Sequence, residues 1–192
     1  QMCIRDRMQF AEIDAAIEDC RGLNRADTRA FFEAHFPHVN YPVFHKRNYE
    51  IMAELLADGM PIKTGAIELL QWLQDEKWRV ALATSTGRES TMHHLESAQM
   101  TQYFDQIITG EQVQHGKPDP EIYAKACAAI GACPATTYAV EDSPNGIRSA
   151  AAAGLRVIMV PDLVPVSAEQ MPFLTSVQPD LLEVMQWLKR SV

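Results

Sequence analysis

Four short apolar runs, each followed by a stretch of helical or turn-forming character, fill the segment from residue 79 to residue 160. They read Arg79-Val80-Ala81-Leu82-Ala83-Thr84, Gln106-Ile107-Ile108-Thr109, Thr137-Tyr138-Ala139-Val140-Glu141 and Arg156-Val157-Ile158-Met159-Val160. Residues 90–98, 121–130 and 145–153 carry helical spacing between them. A run that is apolar throughout, rather than at every second position, fits a strand buried on both faces, and intervening helices supply the crossovers that parallel strands require. The fold class is therefore α/β with a parallel sheet. In such open sheets ligands bind beyond the carboxyl ends of the strands, so the polar residues that close each run are the ones to weigh. These are Thr84-Ser85-Thr86, Thr109-Gly110, Glu141-Asp142-Ser143 and Pro161-Asp162.

Upstream of residue 60 the pattern is helical only. Phe10, Ile13 and Ile17 form one run, Phe31, Phe32 and His35 a second, and Ile51, Met52, Leu55 and Leu56 a third. After the break Asp58-Gly59-Met60-Pro61, an amphipathic helix with Ile67, Leu69, Leu70 and Leu73 opens the α/β part. The expected organisation is a helical cap over residues 8–60 and an α/β core over residues 61–192. Residues 1–7 fit no period and are expected to be non-native.

Composition narrows the function classes. The 192 residues are 47% hydrophobic and 22% charged, enough for a packed core. With 17 Lys+Arg against 25 Asp+Glu the net charge is -8, which disfavours sequence-independent binding to nucleic acid or an anionic membrane. No stretch approaches the roughly 20 apolar residues of a membrane span. Cys3, Cys20, Cys127 and Cys133 show no paired spacing, so a reducing cytoplasm is expected. A monomer is the separate expectation for the assembly. His93-His94 point about 100° apart on a helix and make a poor metal pair. Cys127 and Cys133 read as small hydrophobes, and Trp72, Trp78 and Trp187 as core-edge residues.

Three strand-end segments carry chemistry. Thr84 offers a hydroxyl and a following backbone N–H, the means by which a phosphate oxygen is held; the plain alternative is a helix cap. Lys117 lies in Gly116-Lys117-Pro118-Asp119-Pro120, where two prolines stiffen the turn and so fix the direction of a positive charge. Glu141 and Asp142 are adjacent acids at the end of a buried strand. They repel one another unless a cation compensates, which points to a hard metal such as Mg²⁺; the alternative is that Asp142 or Ser143 caps the next helix. Convergence of all three on one rim of a sheet is what phosphoryl transfer requires.

Together, Ala81-Leu82-Ala83-Thr84-Ser85-Thr86, His115-Gly116-Lys117-Pro118-Asp119-Pro120 and Val140-Glu141-Asp142-Ser143-Pro144-Asn145-Gly146 resemble motifs II, III and IV of the haloacid dehalogenase superfamily. The similar subgroup has a helical cap and includes β-phosphoglucomutase-like enzymes and pseudouridine-5′-phosphatase-like enzymes. The resemblance implies a Rossmann-like core and a Mg²⁺-dependent phosphatase that works through an aspartyl-phosphate on a small phosphorylated metabolite, a sugar or nucleoside monophosphate. It implies that Thr84 holds the phosphoryl group, Lys117 supplies charge beside the nucleophile, Asp142 and Glu141 bind metal, and Ser85 and Asn145 add contacts. Arg25, in Arg21-Gly22-Leu23-Asn24-Arg25-Ala26-Asp27-Thr28, matches a cap arginine that reaches the substrate.

The family's first motif, Asp-x-Asp-Gly-Thr-like at the end of a central strand, has no counterpart here. Asp6, Asp14, Asp19, Asp27, Asp58 and Asp75 all lack the preceding apolar strand. In the family that strand lies between those ending at Thr84 and Glu141, so its loss is expected to split the sheet and leave two open edges. The expectation is a truncated, inactive fragment of a phosphatase. The rival readings are a phosphoglucomutase-like phosphotransferase and a non-catalytic protein that binds a phosphate ester or a partner.

Overall fold

The computed structural model describes residues 16, 19–20, 23–56, 59 and 61–191. Residues 1–7 and the first apolar run of Phe10, Ile13 and Ile17 lie outside the described residues. The first helices described over their whole length are α1 (Arg25–His35) and α2 (Tyr41–Leu55), each capped by an asparagine. The Asn24 side chain accepts from the Asp27 N–H at 2.8 Å, and the Asn40 side chain accepts from the Val43 N–H at 3.3 Å. These caps satisfy donors that have no partner inside a helix. Phe32 of α1 is buried and stacks on Phe44 of α2 with centroids 5.0 Å apart, flanked by Phe36 and Tyr41. The pair thus has a small aromatic core of its own.

The remaining described chain alternates strand and helix: α3 (Ala66–Asp75), β1 (Ala81–Thr84), α4 (Arg88–Ser97), β2 (Gln106–Thr109), α5 (Glu121–Ala129), β3 (Tyr138–Glu141), α6 (Pro144–Ala152), β4 (Arg156–Met159), β5 (Leu174–Val177) and α7 (Leu181–Ser191). All strand pairs are parallel. Val157 and Met159 of β4 face α5 and α6, whereas Ile158 faces α3 and α7. Residues 157–159 are fully buried on both sides, and each such apolar side chain stabilises the fold by about 1.5–3 kcal/mol relative to exposure. This is why the run is apolar without alternation.

The strands form two sheets rather than one. β1 pairs with β2, bringing Thr84 opposite Thr109, and β4 lies between β3 and β5. Among the described residues nothing pairs with the second edge of β1 or of β3, so the sheet is divided where the sequence predicts. Both sheets nevertheless share one apolar cluster. Ala81, Ala83 and Ile108 from the first meet Ala139, Val157 and Met159 from the second through Ile122, Tyr123 and Ala126 of α5 and Ile147 and Ala150 of α6.

Several sequence expectations are adjusted. β5 was not anticipated: Leu174-Thr175-Ser176-Val177 is an edge strand with alternate residues exposed, and it lacks the continuous apolar run that marks strands buried on both faces. Cys127 is buried, as a small hydrophobe should be, but Cys133 is exposed because it precedes a 3₁₀ turn at the surface. Trp72, Trp78 and Trp187 sit partly buried at the margin of the cluster under α3 and α7.

Candidate active site

The carboxyl ends of β1 and β3 are tied together by one buried lysine. The Lys117 ammonium lies 2.5 Å from Glu141 Oε1 and 3.3 Å from the Ala83 carbonyl oxygen, and both residues of the ion pair are almost fully enclosed. Tyr123 completes the group. Its hydroxyl donates to Glu141 Oε1 at 2.5 Å and can accept from Lys117 at 3.4 Å, while the Lys117 ammonium stands 4.9 Å from the centre of its ring. The turn that delivers Lys117 is stiff, with a cis Lys117–Pro118 peptide, and is closed by the Asp119 N–H donating to the Gly116 carbonyl at 3.0 Å.

The other carboxylate oxygen of Glu141 is also committed. Oε2 accepts from the Asp142 N–H at 3.1 Å, the Ser143 N–H at 3.4 Å and the Ser143 hydroxyl at 3.2 Å. Burial alone would raise the Glu141 carboxyl, but the charge and hydrogen bond of Lys117, with Tyr123 and Ser143, outweigh it and hold the group below its ordinary range. Glu141, expected beside Asp142 as a metal ligand, stands in this structure as the buried counter-ion of Lys117, with both carboxylate oxygens accepting hydrogen bonds. Gly146 makes this possible: a Cβ there would land on the Glu141 carboxylate, so only glycine lets the first turn of α6 come so close.

The helix after Glu141-Asp142 is capped by Ser143, whose hydroxyl accepts from the Gly146 N–H at 3.1 Å. That leaves the Asp142 side chain for other work. Its Oδ2 lies 3.7 Å from the ammonium of Lys63, which also lies 2.8 Å from Asp162 Oδ2. Asp142 and Asp162 close adjacent strands, β3 and β4, so two carboxylates share one cation at the rim. These are hard oxygen donors that already draw positive charge, a donor set that suits Mg²⁺. Among the described residues no group of three or more His, Cys, Asp or Glu side chains is gathered at metal-binding spacing. Asp142 thus stands half-exposed beside the Lys63 ammonium, with Asp162 as the second carboxylate at that rim.

Thr84 ends β1, immediately after the Ala83 carbonyl that Lys117 touches, and its hydroxyl accepts from the Thr86 N–H at 3.1 Å in a tight turn. It does not cap α4: the N-cap is Gly87, and Glu111 from the loop after β2 accepts from the Arg88 N–H at 3.2 Å instead. Ser85 lies behind Gly110, where a Cβ would strike the Ser85 carbonyl oxygen and approach Asn24. Asn24 is buried, and a Cβ on Gly116 would collide with its amide and with Asp27. Two glycines thus open a notch that seats the first turn of α1 on the loops after β2 and before Lys117. This places Arg25, exposed at the start of α1, at the same end of the molecule; its charge, after burial, lowers the pKa of His45 on α2. Asn145 is half-buried in the first turn of α6.

Sequence reading did not single out Tyr123, Lys63, Asp162 or Asn24 as partners. The Asn24-x-x-Asp27 spacing is a legible helix-start signal. No local signal marks Tyr123 or Lys63, because their partners lie 18 and 79 positions away in sequence, at Glu141 and Asp142.

The described chain is thus a parallel α/β core in which a buried lysine ties the ends of β1 and β3 and a half-exposed aspartate follows β3. The haloacid dehalogenase-like hydrolase family matches residues 7–160, and the chain belongs to it. The chain is 32% identical over 115 residues to the phosphorylated carbohydrates phosphatase of Thermotoga maritima, covering 60% of this chain and 53% of that one. It is 38% identical over 109 residues to the validoxylamine A 7′-phosphate phosphatase of Streptomyces hygroscopicus, covering 55% and 51%. The crystal structure of β-phosphoglucomutase from Clostridium difficile superposes with a TM-score of 0.76 at 16% identity, over 92% of this chain and 80% of that one, and so shares its fold. The chain spans about half the length of the curated relatives it matches.

Proposed function

We propose that this chain carries the phosphoryl-binding side of a Mg²⁺-dependent phosphoric monoester hydrolase that acts on a small phosphorylated metabolite, a sugar or nucleoside monophosphate. The observation that carries the reading is the single ammonium of Lys117, held by Glu141 and the Ala83 carbonyl between the ends of β1 and β3. The phosphatases among its relatives support the reaction class. Residues 61–192 act as the core and residues 8–60 as a cap, and the protein, once the edges of β1 and β3 are covered, works as a monomer in the cytoplasm.

In this reading an aspartate nucleophile comes from an extended segment seated between β1 and β3, where the described residues place none, and without such a segment the chain does not turn over. A carboxylate oxygen of that aspartate bonds to phosphorus while the ester P–O bond breaks. The leaving alcohol takes a proton from a second acid, and water then cleaves the aspartyl-phosphate to release inorganic phosphate. Lys117 draws the attacking carboxylate into register and offsets charge on the phosphoryl oxygens, with Glu141 and Tyr123 holding its ammonium in place. Thr84 donates its hydroxyl to a phosphoryl oxygen, with the Ser85 and Asn145 side chains as further contacts, and Arg25 closes over the ester from the cap. Mg²⁺ would be held through Asp142 and would offset negative charge developing on the phosphoryl group.

The test is phosphate release from hexose 1-phosphates and nucleoside monophosphates by this chain and by a version extended upstream with an apolar strand ending in Asp-x-Asp. The extended protein is expected to release phosphate and the present chain to release none. Isomerisation of a hexose 1-phosphate without free phosphate would identify a mutase instead. Tight ester binding with no turnover by the extended protein would identify a binding protein.

A further inference from the structure

Lys63 is the only described lysine that touches two carboxylates at the strand ends, and its position is built rather than incidental. Its backbone belongs to the turn into α3, where the Ala66 N–H donates to the Lys63 carbonyl at 3.1 Å. The next residue is pinned to the far side of the core, since the Thr64 carbonyl accepts from the Leu181 N–H at 3.3 Å. Gly65 follows at φ 81°, and a Cβ there would collide with the backbone of Leu182 at the start of α7. The turn is therefore clamped against α7, and the Lys63 side chain reaches from a fixed base over the ends of β3 and β4. Asp142 is the candidate metal anchor, and no other described cation lies within ion-pair distance of it.

We propose that Lys63 is a resident counter-cation of the Asp142 site, which neutralises the Asp142–Asp162 pair when no divalent ion is present and must yield Asp142 before one binds. The proposal rests on the assignment of Asp142 as the metal anchor and adds what sets the threshold of that site. Two like charges at neighbouring strand ends repel, and an ammonium relieves the repulsion at the cost of only a half-exposed ion pair. The asymmetry of the distances suits an exchange. Lys63 is closer to Asp162, at 2.8 Å, than to Asp142, at 3.7 Å, so it can give up the second contact and keep the first. Incoming divalent charge then meets Asp142 alone while Asp162 retains its partner. The site would fill only above a set cation concentration, lower if Lys63 were absent.

Mn²⁺ is a suitable probe, because it replaces Mg²⁺ at oxygen sites and broadens nearby amide resonances. The present chain and its Lys63→Gln, Lys63→Arg and Asp142→Asn variants would each be titrated with Mn²⁺ while the amide signals of Lys63, Asp142 and Ser143 are followed. Lys63→Gln is expected to reach half-broadening at about two- to fivefold lower Mn²⁺, the scale of a half-exposed ion pair. Lys63→Arg is expected to match the parent chain and Asp142→Asn to lose the local effect. Broadening that depends on Asp142 but is unchanged, or requires more Mn²⁺, in Lys63→Gln overturns the role of Lys63 and leaves the metal anchor standing. No localised broadening in any variant overturns both. Unchanged amide signals elsewhere in Lys63→Gln report that the fold is intact.

Discussion

Lys117 and Glu141 set the energetics of the site at the level of single residues. Breaking a buried ion pair from one side strands a charge, so Lys117→Met is expected to cost about 3–5 kcal/mol in urea denaturation. The double variant Lys117→Met/Glu141→Gln should cost less than Lys117→Met alone, because it strands no charge; an equal or larger cost would mean that the pair is not what stabilises this corner. The pH dependence follows from the same pair. The Glu141 carboxyl titrates below its ordinary value in the folded chain, so its contribution is complete above the unfolded carboxylate range near about 4.3 and is lost as pH falls through the folded value. Stability should therefore decline on acidification below that range, and Glu141→Gln should flatten the decline. Gly146→Ala is a further residue-scale test: its methyl group would displace the Glu141 carboxylate, at an expected cost of about 1–3 kcal/mol.

Among the elements, β3 and β4 have the same direction and similar composition but different surroundings. Val140 of β3 is 40% exposed, whereas Val157 of β4 is fully buried. A threonine hydroxyl introduced at Val157 has no water to bond and is expected to cost about 1–3 kcal/mol, while Val140→Thr should change stability by less than half as much. Comparable losses in urea denaturation would show that the edge of β3 is shielded in solution. The loop before α5 offers a second element-scale prediction. Glu121 accepts from the Gln114 and His115 N–H groups, each at 2.9 Å, and pairs with Lys125. Its hydrogen bond from Lys125, followed by that from His115, lowers its carboxyl to about 2. Its hold on the loop is thus present above the ordinary carboxylate range and released as pH falls toward that value. The amide shifts of Gln114 and His115 should titrate with a midpoint near about 2 rather than near about 4.

The whole molecule shows what a sequence conveys and what it withholds. β1, β2, β3 and β4 were legible because burial on both faces leaves unbroken apolar runs, and the division of the sheet was legible because a motif was missing between two of them. β5 was not, since an edge strand needs only one apolar face and Thr175 and Ser176 disguise it. Strand-end logic placed Thr84 and Glu141 at the ends of β1 and β3, and the structure adds that Lys117 bridges the Ala83 carbonyl and Glu141. The enclosure of Glu141 was not legible, because it depends on Tyr123 and on a glycine at position 146 that lets α6 approach. At this scale the edges of β1 and β3 that are unpaired among the described residues predict self-association, since unpaired strand edges template pairing between chains. Sedimentation should show weight-average mass rising with concentration, and a monodisperse monomer across the range would mean that the edges are covered.

The cluster that joins Ile122, Tyr123 and Ala126 to both sheets is already assembled beside the edges of β1 and β3 that the described residues leave unpaired. A segment entering there would find its floor laid and both walls standing. The conformational entropy lost on its arrival, about 1–2 kcal/mol for each backbone residue, would fall on the newcomer alone. The molecule is in that respect a mould, and whether it is filled within one polypeptide or by a separate strand becomes a question of effective concentration rather than of folding.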